Sequence, residues 1–226
     1  MDKDNRKDLY DEGIGYSYVS LISKKIRVGI IGGGKAGTIK TKHFANNKCY
    51  VEVLSKEFDE EIIKLASSFK ESLNLINEEF SYDFLSDKHL IVIAVDDEGL
   101  RRKIRDYCEE NYKIYIDSSN FKDGMGVVPI QRKTENITFA LNTKQGNPKG
   151  AIIIANKIKN IIEEYDDFIK FIGIIRNKAK KLPEYKNDII ELTSNENFKK
   201  LFDEGKGENV LRERFPKEIV DYLLEL

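Results

Sequence analysis

The stretch Val28-Gly29-Ile30-Ile31-Gly32-Gly33-Gly34-Lys35-Ala36-Gly37 constrains the fold more than any other part of the chain. An apolar, β-type run ends in a glycine-rich turn, and a helix-type pattern follows. Gly32, Gly34 and Gly37 fit G-x-G-x-x-G in that context. The first glycine allows a tight turn. The second lets a pyrophosphate approach the backbone, and the third lets helix and strand pack closely. The helix start adds free N–H groups and a positive dipole end. A nucleotide-linked function is therefore expected, with Gly32, Gly33, Gly34, Lys35, Ala36 and Gly37 as the cofactor-binding segment. A glycine turn in a ligand-free α/β domain is the competing reading.

The pattern around this turn predicts alternating strands and helices. Strands are expected at Ser17–Ile22 (short), Ile26–Ile31, Cys49–Leu54, Leu90–Val95 and Lys113–Ile116, and helices at Lys35–Asn46, Asp59–Leu73 and Glu98–Glu109. The continuous apolar run at Leu90–Val95 suits a strand covered on both faces. Such alternation argues for a parallel sheet with right-handed crossovers, which binds ligands at the C-terminal ends of its strands. After Asp117 the pattern changes. Val127–Gln131 and Ile137–Leu141 read as a hairpin around a charged turn, Arg132–Asn136. A polar loop, Asn142–Lys149, leads to an apolar-periodic helix at Gly150–Tyr165. The remainder is helical and charge-laced, broken at Pro183, Thr193-Ser194, Gly205–Gly207 and Pro216. The fold class is thus α/β: a Rossmann-type parallel sheet, a β-hairpin dimerisation region and a C-terminal helical domain. The expected boundaries are 1–15 for a polar N-terminal extension, 16–120 for the NAD(P)-binding domain, 121–149 for the hairpin region and 150–226 for the helices. The hairpin cannot bury both faces alone. Pairing with its copy in a homodimer is favoured over packing on the chain's own helices.

Composition excludes several function classes. With 226 residues, 40% hydrophobic and 34% charged, the chain can bury a core and is expected to be soluble. A formal net charge of -1 gives no global attraction to nucleic acid or acidic membranes. No apolar run reaches the roughly 20 residues that span a bilayer, and Met1–Asp11 lacks a signal-peptide core. The two cysteines, Cys49 and Cys108, have no metal-ligand spacing and read as reduced thiols of a cytoplasmic protein. The only histidines are His43 and His89, so a histidine-built metal cluster is not expected and no metal ligand is assigned.

The order of these segments, over roughly Tyr16–Tyr165, resembles the precorrin-2 dehydrogenase / sirohydrochlorin ferrochelatase family, the NAD-dependent part of siroheme synthases. Tyr18-Val19-Ser20-Leu21 looks like the family's short opening strand. Gly32-Gly33-Gly34-Lys35-Ala36-Gly37, with Lys40 and Lys42, is similar to its G-G-G-x-x-A-x-x-K segment. Ile93-Ala94-Val95-Asp96-Asp97 is similar to its A-A-T-D-D strand end. Val127-Val128-Pro129 resembles the apolar-Pro that opens its hairpin. Ile137–Pro148 sits where the family has a strand and then S-x-G-G-x-S-P. The resemblance implies oxidation of precorrin-2 to sirohydrochlorin, with NAD as cofactor and a homodimer as the assembly. It also implies an acid/base aspartate in an N-V-x-D loop after the fifth strand. Here that loop is Asp117-Ser118-Ser119-Asn120. Asn120 takes the aspartate's place and Asp117 the asparagine's, and an amide cannot exchange a proton as a carboxylate can.

Asp117 and Asn120 are therefore the candidate catalytic positions, with Asp117 orienting substrate or shuttling a proton and Asp123 a weaker candidate. Iron insertion would need a base and an open metal path, which the lack of a histidine pair disfavours. Ser55 and Lys56 end the second strand, where NAD enzymes often carry an acid for the ribose; Lys56 suits a 2′-phosphate, so NADP stays open beside NAD. Val95, Asp96 and Asp97 lie at the next ligand edge, in contact with cofactor, or with Asp97 capping the following helix. Lys144 and Asn147 replace small polar residues of the family's loop, and Lys144 offers a cation to a substrate carboxylate. A different class also fits: a non-catalytic dinucleotide-binding homodimer that senses redox state or partners another enzyme. A reductase of another carbonyl or imine is a third reading.

Overall fold

A computed structural model describes residues 15–225 of the chain. Nearly all of the expected N-terminal extension lies outside the described residues. The chain divides into two compact units, one spanning Ser17–Val128 and the other containing Pro129 onward together with Tyr16.

The first unit is a five-stranded parallel sheet of β1 (Arg27–Gly33), β2 (Tyr50–Phe58), β3 (Leu73–Ile76), β4 (Leu90–Ile93) and β5 (Ile114–Asp117). Its order is β3-β2-β1-β4-β5. The chain winds outward from β1 to β3, then crosses back to β4, so the winding reverses between β1 and β4. Doubly wound sheets bind ligands in the crevice at that switch point. Val28, Ile30, Val51, Val53 and Val92 form one buried face with Ile62 and Phe44. Those side chains come from α1 (Lys35–Asn46) and α2 (Glu60–Ser68). The alternate residues Ile31, Ile91, Ile93 and Tyr115 bury the opposite face with Leu85, Ile104 and Cys108. They belong to α3 (Asp83–Ser86) and α4 (Glu98–Glu110). This two-sided burial is why β4 reads as an unbroken apolar run.

The structure corrects the expected elements in several places. Ser17–Ile22 is not a strand. Both sides of β1 are occupied, by β2 and β4, so no edge is left beside it. The segment instead enters a 3-10 turn at Ser23–Lys25, with Val19 and Ile22 exposed. The helix expected at Asp59–Leu73 stops at Ser68, and Leu73–Ile76 forms the edge strand β3 in register with β2 through Val51↔Leu73. Its four residues are too few to break the helical period in sequence. The short α3, centred on the fully buried Leu85, also escaped the pattern.

In the second unit, β6 (Ile130–Lys133) and β7 (Thr138–Leu141) pair antiparallel, Ile130 opposite Leu141. The turn is tighter than expected, closing where Thr134 N donates to Ile137 O at 2.9 Å. The hairpin packs on α5 (Pro148–Glu163), where Arg132 Nε donates to Asn156 Oδ1 at 2.9 Å. Five further helices follow: α6 (Asp166–Ala179), α7 (Lys186–Thr193), α8 (Glu196–Asp203), α9 (Gly207–Arg214) and α10 (Lys217–Leu224). Their core includes Phe168, Ile175, Phe198, Leu211 and Leu223. The breaks fall where the sequence places them: Asn195 caps α8, Gly205 turns at φ 71°, and Pro216 precedes α10. Among the described residues, no helix is long and apolar enough to cross a membrane.

Candidate active site at the sheet switch point

The glycine turn is shaped by what its residues lack. Gly32 has φ 113°, which side chains rarely adopt, and a Cβ there would overlap the Ala94 carbonyl at the end of β4. A Cβ on Gly37 would overlap the Gly32 carbonyl, so α1 could not close on β1. Gly33 meets the end of β2: a Cβ would stand 3.0 Å from Ser55 Cβ and 2.6 Å from Phe58 Cδ1. Gly34 is different. It is exposed, and an added Cβ would meet nothing within 4 Å. Three of these glycines are therefore required by the chain's own packing, and the fourth leaves open space. Gly34 is also the N-cap of α1 and supplies no side chain to cap it. The first-turn amides of Lys35, Ala36 and Gly37 have no intrahelical acceptor. Helix geometry and dipole both suit a pyrophosphate here. Thr38 steadies the turn, its hydroxyl donating to Gly34 O at 3.0 Å.

Two further strand ends flank the turn. β2 runs on to Phe58, past the end expected at Leu54, so Ser55 and Lys56 lie within its last residues rather than at its end. The strand continues because Phe58 comes into register with Gly33. Ser55 is half-buried and Lys56 is exposed. Asn77 Nδ2 donates to the Lys56 carbonyl at 2.7 Å, and Lys56 Nζ pairs with Glu79 at 2.8 Å. The hydrogen bond to Glu79 raises the Lys56 ammonium above its ordinary pKa and lowers the Glu79 carboxyl. At β4, Val95 is half-buried and Asp96 is exposed at a bend. Asp97 caps α4, accepting from Leu100 N at 3.0 Å.

The end of β5 carries a charge cluster. The Asp117 side chain is fully buried. Its Oδ1 accepts from Ser119 N at 2.9 Å and Asn120 N at 3.0 Å, and its Oδ2 accepts from Arg105 at 2.9 Å. Arg101 Nε lies 3.6 Å from the same oxygen, buried and without a hydrogen-bond partner. Glu98 bonds both arginines, to Arg105 at 2.8 Å. Its hydrogen bond to Arg105, with that of Asp117, raises the guanidinium pKa against the opposing effect of burial. Asn120 is exposed and caps a 3-10 turn at Phe121–Asp123, accepting from Lys122 N at 3.3 Å. The loop is tied to β4 through Ser118 N to Ile93 O at 2.9 Å. Its far end returns to β5 through Gly126 N to Tyr115 O at 3.1 Å.

The glycine turn, Ser55–Lys56, Val95–Asp97 and Asp117–Asn120 thus share the C-terminal edge of one sheet, centred on the switch point. Lys144 and Asn147 belong to the other unit. Lys144 is exposed, and Asn147 caps α5 by accepting from Gly150 N at 2.9 Å. Sequence reasoning missed Glu98, Arg101 and Arg105. Their spacing three and four apart after a capping aspartate could have placed all three on one helix face.

A protein of Methanocaldococcus jannaschii, provisionally described as a precorrin-2 dehydrogenase, is 30% identical over 203 residues, 84% of this chain and 92% of its own length. The chain belongs to the precorrin-2 dehydrogenase family. A family model with the provisional description NAD(P)-binding matches residues 19–129, which hold the whole switch-point edge. The solved structure of SirC, a precorrin-2 dehydrogenase, superposes with a TM-score of 0.66 at 20% identity, covering 93% of this chain and 100% of its own. That likeness shows a shared fold over most of the chain, beyond residues 19–129.

Proposed function

We propose that this protein is an NAD-dependent dehydrogenase that oxidises precorrin-2 to sirohydrochlorin. The observation that carries the proposal is the open space at Gly34 beside uncapped amides at the switch point. Family membership supplies the substrate class. Gly34, Lys35, Ala36 and Gly37 would hold the pyrophosphate, and the residues at Ser55–Lys56 and Val95–Asp97 would border the rest of the cofactor. When bound, NAD+ supplies a two-electron hydride acceptor. NAD is favoured over NADP because Glu79 already holds Lys56 and puts a carboxylate beside the β2 end. Asp117 acts by shaping the loop, since both its oxygens are engaged. Asn120 then faces substrate from that loop as a hydrogen-bonding group. Lys144 is the proposed cation for a substrate carboxylate, on a loop that Asn147 stabilises.

The hairpin β6–β7 would pair with its copy in a homodimer, which would also cover the exposed Ile153, Ile154 and Ile161 of the neighbouring α5; light scattering tests this. Both cysteines are buried and unpaired, which suits a cytoplasmic protein. Anaerobic absorbance with fresh precorrin-2 and NAD+, then NADP+, tests the enzyme reading. Growth of reduced-dinucleotide absorbance together with the sirohydrochlorin spectrum supports it. Tight dinucleotide binding without turnover would instead favour the non-catalytic reading, to which the amide of Asn120 and the engaged oxygens of Asp117 lend weight.

A further inference from the structure

The proposed oxidation removes a hydride and a proton, so a group at the ligand edge must take the proton. The hydrogen bonds of the edge narrow the choice of carboxylate. Asp117 is fully buried with both oxygens engaged. Asp97 is committed to the α4 cap, and Glu98 is shared by two arginines. Asp123 is in another position. Its side chain is 41% exposed, and its carboxylate stands 3.7 Å from Arg105 Nη1. It is therefore oriented by a cation yet open to solvent. Its backbone closes the 3-10 turn, donating to Asn120 O at 3.0 Å. Side chains three apart in such a turn eclipse, so Asp123 shares a side with Asn120. Asp96, Glu57 and Glu79 are further exposed carboxylates of this edge. Glu79 pairs with Lys56, and Glu57 and Asp96 stand on the β2 and β4 sides of the glycine turn, where the dinucleotide would lie, rather than on the loop after β5. The two histidines lie elsewhere: His89 accepts from Arg27 N at the opposite edge of the sheet, and His43 sits in the last turn of α1.

We infer that Asp123 is the proton acceptor of this reaction and that Arg105 is the positioning residue that orients it. The inference rests on the dehydrogenase reading above. One substrate C–H bond breaks with its electron pair leaving as hydride to the oxidised nicotinamide. A second bond, N–H or C–H, breaks with its pair staying in the macrocycle as a new π bond. Its proton forms an O–H bond on Asp123 and then passes to water from the exposed side. The substrate loses two electrons and the dinucleotide gains two.

The test uses Asp123→Asn, Asp123→Glu and Asp96→Asn in the full chain. Turnover of precorrin-2 with NAD+ is followed from about pH 5 to about pH 9, and the affinities for NAD+ and sirohydrochlorin are titrated separately. Asp123→Asn is expected to lower kcat about 100-fold or more and to remove the acidic limb of the pH profile. Both affinities should stay within about threefold of wild type, because the side chain bonds no part of the fold at close range. Asp123→Glu should restore part of the rate. Asp96→Asn should keep the acidic limb whatever it does to dinucleotide affinity. An Asp123→Asn protein with kcat near wild type overturns the inference and leaves the dehydrogenase reading standing. So does loss of the acidic limb in Asp96→Asn instead, or an equal weakening of both affinities in Asp123→Asn. A wild-type protein that binds NAD+ but never turns over precorrin-2 overturns the dehydrogenase reading and, with it, the role of Asp123.

Discussion

The turn after β1 and the loop after β5 lie at the same edge of one sheet but are built in opposite ways. The first is made by removing side chains. Gly32, Gly33 and Gly37 let backbone touch backbone, and Gly34 leaves a gap. The second is made by adding charge. Asp117 is buried against Arg105 and folds the loop around its own carboxylate. A glycine turn is announced by a fixed local spacing, even though Gly32 and Gly33 are required by Ala94 and Phe58 at the ends of other strands. A charge cluster depends on a partner from another element, here α4, twelve residues away from Asp117 in sequence. One is marked in sequence by its own spacing, the other only by a partner from another element.

The comparison is broken most severely at Gly37. Gly37→Ala forces a Cβ into the Gly32 carbonyl, which is backbone and cannot swing aside. A loss of about 3 kcal/mol or more is expected, with dinucleotide binding lost alongside. Thermal melting and NAD+ titration of the variant check both. A stable Gly37→Ala protein that still binds NAD+ would mean that α1 can close on β1 by another route.

The charged loop should yield next. Arg105→Met takes the arginine hydrogen bond from the buried Asp117 Oδ2, leaving Arg101 Nε at 3.6 Å, and is expected to cost about 2–3 kcal/mol. Asp117→Asn keeps an amide oxygen for the Ser119 and Asn120 amides but turns a donor toward Arg105. The double variant removes that conflict. Chemical denaturation should therefore show the pair coupled by about 1–2 kcal/mol, the double variant being more stable than the sum of the singles predicts. Additive losses would show that the loop holds its shape without the ion pair.

This contrast accounts for what could be read from the sequence. The glycine turn, the strands β1 and β4, α1, α4 and the hairpin all announce themselves within a few residues, by period or by glycine spacing. β3 does not, because four residues beside a helical pattern carry too little periodicity to be separated from it. At the site, Gly32–Gly37 and the capping role open to Asp97 were legible for the same local reason. The burial of Asp117 was not. Whether an aspartate at a strand end faces water or two arginines depends on which face of α4 packs on β5, which no local spacing records.

Gly34 sharpens the comparison from the side of the ligand. Its φ of -80° is open to any residue, and an added methyl would have free space around it. Gly34→Ala should therefore change stability by less than about 0.5 kcal/mol, as for a surface substitution. If the gap is where a pyrophosphate approaches, the same methyl should weaken NAD+ binding about tenfold, or about 1.4 kcal/mol. Calorimetric titration checks this. Unchanged affinity would move the phosphates off Gly34 and leave the turn a purely structural element.

The smallest effect is expected at Lys56, where the two styles of construction meet. Its ion pair with Glu79 is exposed on both sides, 72% and 82%, and stands beside the β2 segment that packs on Gly33. Exposed pairs contribute little, so Lys56→Ala should leave the melting temperature close to wild type, and closer still in high salt. Its effect should be on dinucleotide choice. Removing the cation takes away the group at this strand end suited to a 2′-phosphate, so NADP+ affinity should fall about threefold while NAD+ affinity stays within about twofold. Equal changes for both dinucleotides would mean that the ribose lies away from Lys56. In that case the preference for NAD would have to be set at the β4 end, by Asp96 or its neighbours, rather than beside the glycine turn.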